Sequence, residues 1–167
     1  MIMRNTLVLF LLGGLIISSC STDKVDGTSP DAILGTWDLT ALDIDQQTAS
    51  DEEEFGQVIL SELSAENCYL VSLTFNQDSS LITEDASNYL EIGVNAGGTG
   101  LEVPCPSQRD TETTTYTYAD GVLTFVDENQ ATVSLNVTID GRTMIISAQE
   151  LDVENFNAGG ELIFSKR

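Results

Sequence analysis

The chain has 167 residues, 27 of them acidic and 6 basic, with no histidine and a net charge of −21 at pH 7. The missing imidazole excludes Ser-His-Asp and Cys-His catalysis and every histidine metal site. So negative a field repels phosphate backbones and anionic surfaces, which argues against a nucleic-acid partner. It leaves cationic partners or divalent ions as electrostatic attractions, and it also keeps a crowded protein soluble.

In chain order, the first element is an export signal. Arg4 supplies a cationic start, Leu7 to Ile17 an apolar run too short to span a bilayer comfortably, and Ser18 and Ser19 the small residues before a cleavage point. Ile17-Ser18-Ser19-Cys20 resembles the lipobox of bacterial lipoproteins. That resemblance implies a signal peptide over 1–19 and a diacylglycerol thioether on Cys20, the first mature residue. A plain secretory peptide with a cysteine nearby is the alternative. Two or more acyl chains at roughly 0.8 kcal/mol per buried methylene hold a domain stably, so membrane attachment runs through Cys20. Ser21 in place of Asp after the cysteine favours, by the same resemblance, the outer membrane; periplasmic and surface faces both stay open. No later segment is long and apolar enough to cross a membrane.

Residues 20–32 carry one large apolar side chain among small, acidic, Gly and Pro residues and read as the lipidated cysteine and a flexible tether. From Ile33 the pattern is all-β, in one domain over 33–167. The first strand is Gly35 to Ile44, with Trp37, Leu39 and Ala41 on one face and Leu42 and Ile44 on the other. Ser50 with Glu53 forms a capping box, and Phe55, Val58, Ile59 and Leu63 recur at helical spacing, predicting a helix over 51–66. Strands follow at 69–75, with the odd positions facing the core, and at 81–84. An irregular stretch over 88–106 has its tip at 96–100. Hairpins join 113–118 to 122–126 and 131–139 to 143–149, and the last strand is 161–166. About eight antiparallel strands suffice to close a small up-and-down barrel with one short inserted helix.

With Cys20 set aside, Cys68 and Cys105 form an even pair in an oxidising compartment, which predicts a disulfide. In the chain-entropy model a loop of this size contributes roughly 4 kcal/mol. A metal site is the competing reading, but two isolated thiols without histidine do not complete the usual zinc sets.

Gly35-Thr36-Trp37 at the start of the first strand resembles the Gly-x-Trp motif of the lipocalin superfamily. The Cys68 and Cys105 pair and the Tyr116 to Phe125 hairpin also resemble small lipocalin-like envelope lipoproteins. The resemblance implies a barrel whose indole plugs one end, with Lys166 or Arg167 of the last strand lying over its face. A β-sandwich with Trp37 in its core is the alternative fold. Two features depart from the family pattern: no counterpart of its Thr-Asp-Tyr motif is present, and the helix over 51–66 is extra.

An eight-stranded barrel is filled by its own side chains or holds one small ligand. The candidate lining residues are Tyr69, Val71, Leu73, Phe75, Tyr116, Tyr118, Phe125, Val133, Leu135 and Val137. The expected function is non-catalytic binding of a small apolar ligand by a lipid-anchored envelope protein that needs no cofactor and no metal. The alternative is an interaction protein with a filled barrel, which meets an unspecified protein or glycan partner through its surface. Other motifs carry less. Asp43-Ile44-Asp45 and Asp51 to Glu54 lack the spacing and turn glycine of a calcium loop. Gly97-Gly98-Thr99-Gly100 lacks the lysine and following helix of a phosphate cradle. Asn136-Val137-Thr138 lies in a predicted strand, and accidental carboxylate pairs among so many acids do not identify a glycosidase.

Overall fold

Alternation of apolar and polar side chains decides this fold strand by strand. In the computed structural model, residues 26–127, 129–151 and 153–167 are described. The signal peptide over 1–19, Cys20 and the adjoining residues to Val25 lie outside the described residues. The strands are β1 (Gly35–Asp43), β2 (Val71–Phe75), β3 (Ser80–Asp85), β4 (Gly93–Val94), β5 (Leu101–Glu102), β6 (Asp110–Ala119), β7 (Val122–Val126), β8 (Thr132–Asp140), β9 (Thr143–Ser147) and β10 (Glu161–Lys166). The helices are α1 (Asp51–Ala65) and the short α2 (Ala148–Leu151).

Eight strands close an antiparallel barrel in the order β1-β2-β3-β6-β7-β8-β9-β10, and β10 returns to pair with β1. Strands β4 and β5 form a separate two-stranded ribbon within the long β3–β6 connection. Each neighbour in the barrel is the next barrel strand along the chain, so the topology is an up-and-down meander without crossovers. Its two-residue turn between β6 and β7 places Asp120 at φ 51° and Gly121 at φ 78°. Positive φ at both central positions is the hairpin geometry whose twist matches the strands.

All the up-and-down turns fall at two ends. One end gathers the start of β1, the turns β2–β3, β6–β7 and β8–β9, and the end of β10. The other gathers α1, the β3–β6 connection, the β7–β8 loop and α2. The inner faces meet in one apolar cluster, with Trp37, Leu39, Phe75, Leu123, Met144 and Phe164 all buried.

Two expectations about facing need correction. Thr40 is an extra residue in β1, since Leu39 pairs with Phe164 while Ala41 pairs with Ile163. This bulge resets the alternation. Leu42 and Ile44 therefore join Trp37 and Leu39 as buried residues, while Ala41 is only half-buried. The bulged backbone is held from both sides: Thr40 Oγ1 donates to the Ile163 carbonyl at 3.1 Å, and Ser64 Oγ of α1 donates to the Thr40 carbonyl at 2.6 Å. In α1 the buried face is Gly56, Ile59, Leu60 and Leu63, whereas Phe55 and Val58 are 45% and 48% exposed. Gly56 sets that face, because a Cβ there meets Phe156 at 3.3 Å and Leu42 at 3.4 Å. A glycine lets the helix lie close at the one point where the barrel edge and the 153–160 segment converge.

The start of α1 follows its sequence signal. Ser50 Oγ accepts from the Glu53 backbone N–H at 3.2 Å, and a Glu53 oxygen accepts from the Ser50 N–H at 2.7 Å. The Ser50 N–H, and with it the Ser50 hydroxyl donating at 2.8 Å, holds the Glu53 carboxyl below the usual glutamate range. Ser50→Ala removes the cap and is expected to cost about 1 kcal/mol, read as a lower urea midpoint with an unchanged slope.

Candidate functional site

The two barrel ends differ in what closes them. At the end where β1 begins, residues 26–34 lie across the opening instead of trailing away as the tether composition of residues 20–32 suggests. Tyr118 Oη donates to the Gly27 carbonyl at 2.6 Å, and the Trp37 Nε1–H donates to the Ile33 carbonyl at 2.6 Å. Gly27 sits so close to Ile139 that no side chain fits, with a Cβ only 2.0 Å from the Ile139 carbonyl oxygen. Burial, and then the charge of Asp26, push the Tyr118 hydroxyl above the usual tyrosine range.

Trp37 closes this plug from inside. Its ring is fully buried, and Lys166 Nζ lies 5.0 Å from the ring centroid while reaching the Ala32 carbonyl at 3.4 Å. Burial, with a smaller contribution from Arg142, holds the Lys166 ammonium below the usual lysine range. Gly35, at φ 108°, carries the sharp entry into β1 and leaves room for Lys166. Thr36 faces outward and shares a 3.0 Å hydrogen bond with Thr74. Arg167 goes elsewhere: it forks onto Asp38 at 2.7 and 3.0 Å, and Asp38 also accepts from Ser72 Oγ at 2.7 Å.

The opposite end is only half covered. α1 and the 153–160 segment close the side beneath β1 and β10, with Phe156 buried against Gly56. On the side of β3, β6, β7 and β8 a space of about 880 Å³ opens to solvent. Its walls are Thr83 and Asp85 of β3, Asp110 and Glu112 of β6, Phe125 and Asp127 at the end of β7, Val133 of β8, and Glu150 and Leu151 of α2. This mouth has an apolar side formed by Phe125, Val133 and Leu151, with five carboxylates around it.

Hydrogen bonds hold four of those carboxylates in place. Asp85 accepts from the Ser87 N–H at 2.7 Å and its hydroxyl at 2.6 Å. Asp110 accepts from Asn88 Nδ2 at 3.2 Å and Tyr89 Oη at 2.8 Å. Asp127 accepts from the Ala131 N–H at 2.7 Å. Glu150 accepts from the Asn136 N–H at 2.8 Å and its side chain at 3.1 Å, and these bonds hold its carboxyl below the usual glutamate range. Accepting these bonds fixes the geometry without neutralising the charge, so the mouth holds a preorganised negative potential.

Of the ten expected lining residues, only Phe125 and Val133 line this mouth. Val71, Leu73, Phe75, Leu135 and Val137 are buried in the packed part of the barrel, and Tyr69 stands half-buried just before β2. Tyr116 packs edge-on to Phe75 at 5.0 Å and, like Tyr118, borders a shallow 450 Å³ recess at the plugged end. Sequence reasoning missed the acidic wall of the mouth. The signal was there on β6: Asp110, Glu112 and Thr114 share the alternation phase of Tyr116 and Tyr118, so they continue its inner face. Starting that strand at Thr113 hid the phase.

The disulfide joins Cys68, buried after α1, to Cys105 in the β5–β6 loop, with Cα atoms 5.8 Å apart. It ties the β3–β6 connection to the rim of the half-open end. Among the described residues no group of three His, Cys, Asp or Glu side chains is placed to hold a metal ion, and no helix is long and apolar enough to cross a membrane. No family model, curated protein or solved structure matches the chain.

Proposed function

We propose that this chain is a non-catalytic, lipid-anchored envelope protein, attached through Cys20 to the outer membrane, whose lipocalin-like barrel takes a small ligand into its acidic mouth. The observation that carries the reading is the mouth itself: about 880 Å³ with an apolar side and fixed carboxylates. Sites of this size take up a small molecule, and here a lining that is mostly polar and acidic, with one apolar side, sets what that molecule must carry. Packing elsewhere in the barrel supports a ligand at the end over one threaded through the axis. The wall also refines the chemistry. An apolar body packs against Phe125, Val133 and Leu151, and a cationic group answers the carboxylates, so amphiphilic amines suit the site better than fatty acids.

Full-length protein titrated with a dansylated alkylamine and with the matching fatty acid tests this. The amine is expected to bind and the acid not, with binding weakened by salt. Glu112→Gln combined with Asp127→Asn is expected to weaken the amine by at least about tenfold. Asp120→Asn at the plugged end should leave it unchanged. Absence of amine binding, or equal affinity in the mouth variant, overturns the proposal. The exposed Phe55 and Val58 on α1 favour a second reading, a protein partner at that helix. A partner cross-linked to residue 58 and lost in Phe55→Ser/Val58→Ser would support it.

A further inference from the structure

We infer that in the anchored protein the plugged end faces the bilayer and the mouth opens to water, so that the ligand arrives as a dissolved molecule and not by lateral entry from lipid. The inference rests on the proposed lipid anchor and mouth. Its first support is where the chain enters the fold. The described chain begins on the plug, with Gly27 fixed by Tyr118 and wedged against Ile139. Turns locked by Ser29 N–H to Asp26 carbonyl at 2.8 Å and Ala32 N–H to Ser29 carbonyl at 2.9 Å continue it into β1. Between Cys20 and Asp26, where the described chain begins, lie five residues.

Length then biases the orientation. Even fully extended, the stretch from Cys20 to Asp26 spans at most about 22 Å. β6 runs ten residues from Asp110 at the mouth to Ala119 at the plugged end. At about 3.3 Å per step over that strand and with the usual barrel tilt, the two ends are separated by about 21–24 Å along the axis. Bringing the mouth down onto the membrane would therefore require the whole stretch to be drawn nearly straight along the barrel, at the full cost of its conformational freedom, whereas the plug lies within reach of the anchor without extension.

Charge acts in the same direction. Of the four described cations, Arg142, Lys166 and Arg167 sit at the plugged end among Asp26, Asp31, Asp38, Asp78, Asp120 and Asp140, and Arg109 alone is near the mouth. The mouth presents five carboxylates. Asp51, Glu52, Glu53 and Glu54 in the first turn of α1 add to the charge of that end, and within a Debye length of about 8 Å anionic headgroups repel it more than the plug, where three cations offset half of the carboxylates.

The test uses the lipidated full chain in vesicles of phosphatidylethanolamine and phosphatidylglycerol. With Cys20 acylated and Cys68 bonded to Cys105, an introduced cysteine is the one free thiol, so Gln77→Cys at the plugged end and Thr132→Cys at the mouth end each accept one fluorophore. Quenching by a headgroup-nitroxide lipid is expected to be at least about threefold stronger at position 77 than at 132. Asp140→Cys and Asn129→Cys, both exposed, give a second pair should either of the first misfold. Equal quenching, or stronger quenching at the mouth end, overturns the inference. The mass of the amino-terminal peptide is read in parallel. An unmodified Cys20 removes the anchor together with the orientation, whereas an acylated Cys20 with the wrong quenching order removes the orientation alone.

Discussion

Trp37→Ala is expected to lower the stability of this fold by about 3–5 kcal/mol, the cost of emptying a fully buried aromatic site. Against a total of about 5–15 kcal/mol for a typical domain, that approaches loss of the native state. Three things go at once. The ring leaves a cavity between β1 and its neighbours, the Ile33 carbonyl loses the donor that holds it at 2.6 Å, and Lys166 loses the π face 5.0 Å away. Trp37→Phe separates the contributions: it keeps most of the packing and forfeits the N–H, so a loss of about 1–3 kcal/mol is expected. Because Trp37 is the chain's one tryptophan, urea unfolding must be followed by far-UV circular dichroism. Amide exchange over residues 27–34 should accelerate in the alanine variant beyond what global destabilisation produces. A loss under about 1 kcal/mol for Trp37→Ala would show that the amino-terminal plug holds without its indole.

The barrel was legible because its strands are half-buried and keep a period of two, and because Asp120-Gly121 and Asp140-Gly141 mark hairpins by backbone chemistry alone. β10 was legible to the residue, as Glu161 to Lys166. What was not legible arose where one residue breaks a period. Thr40 bulges β1 and inverts the facing of everything after it, and no side-chain pattern distinguishes a bulge from a change of face until the partner strand is seen. Gly56 is invisible to a search for apolar spacing, yet it turns α1 so that Leu60 packs inward and Phe55 outward. The mouth was hidden for a different reason. Its carboxylates lie on inner-face positions that a core-seeking reading treats as solvent, although Glu112 follows Tyr116 and Tyr118 in strict alternation. Residues 26–32 looked like tether because Gly and Asp also serve where a chain must turn tightly across another element. Only the approach of Gly27 to Ile139 shows which role they have.

Breaking the Cys68–Cys105 bond is expected to cost about 4 kcal/mol, the entropy of closing a loop with a sequence separation of 37 in the unfolded chain. The folded state adds a local consequence. Cys68 directly follows the end of α1, where Asn67 takes a positive φ of 57° and the Cys68 N–H donates to the Leu63 carbonyl at 2.9 Å. That end of the bond is rigid. Cys105 belongs to the long β3–β6 connection, whose own sheet is only the two-residue ribbon of β4 and β5. Reduction therefore frees the connection before it frees the barrel. Asn88 and Tyr89 of that connection hold Asp110 in the mouth, so loosening it should also release one carboxylate from its fixed place. Three measurements on the reduced protein follow from this. The urea midpoint should fall by the equivalent of about 4 kcal/mol, amide exchange should rise first over residues 90–108, and affinity for the amine probe should drop while the far-UV spectrum stays native. A paired Cys68→Ala/Cys105→Ala variant reproduces the effect without reductant. If stability fell and the mouth kept its affinity, the disulfide would be acting on the unfolded chain alone, and Asp110 would be held by β6 without help from the connection.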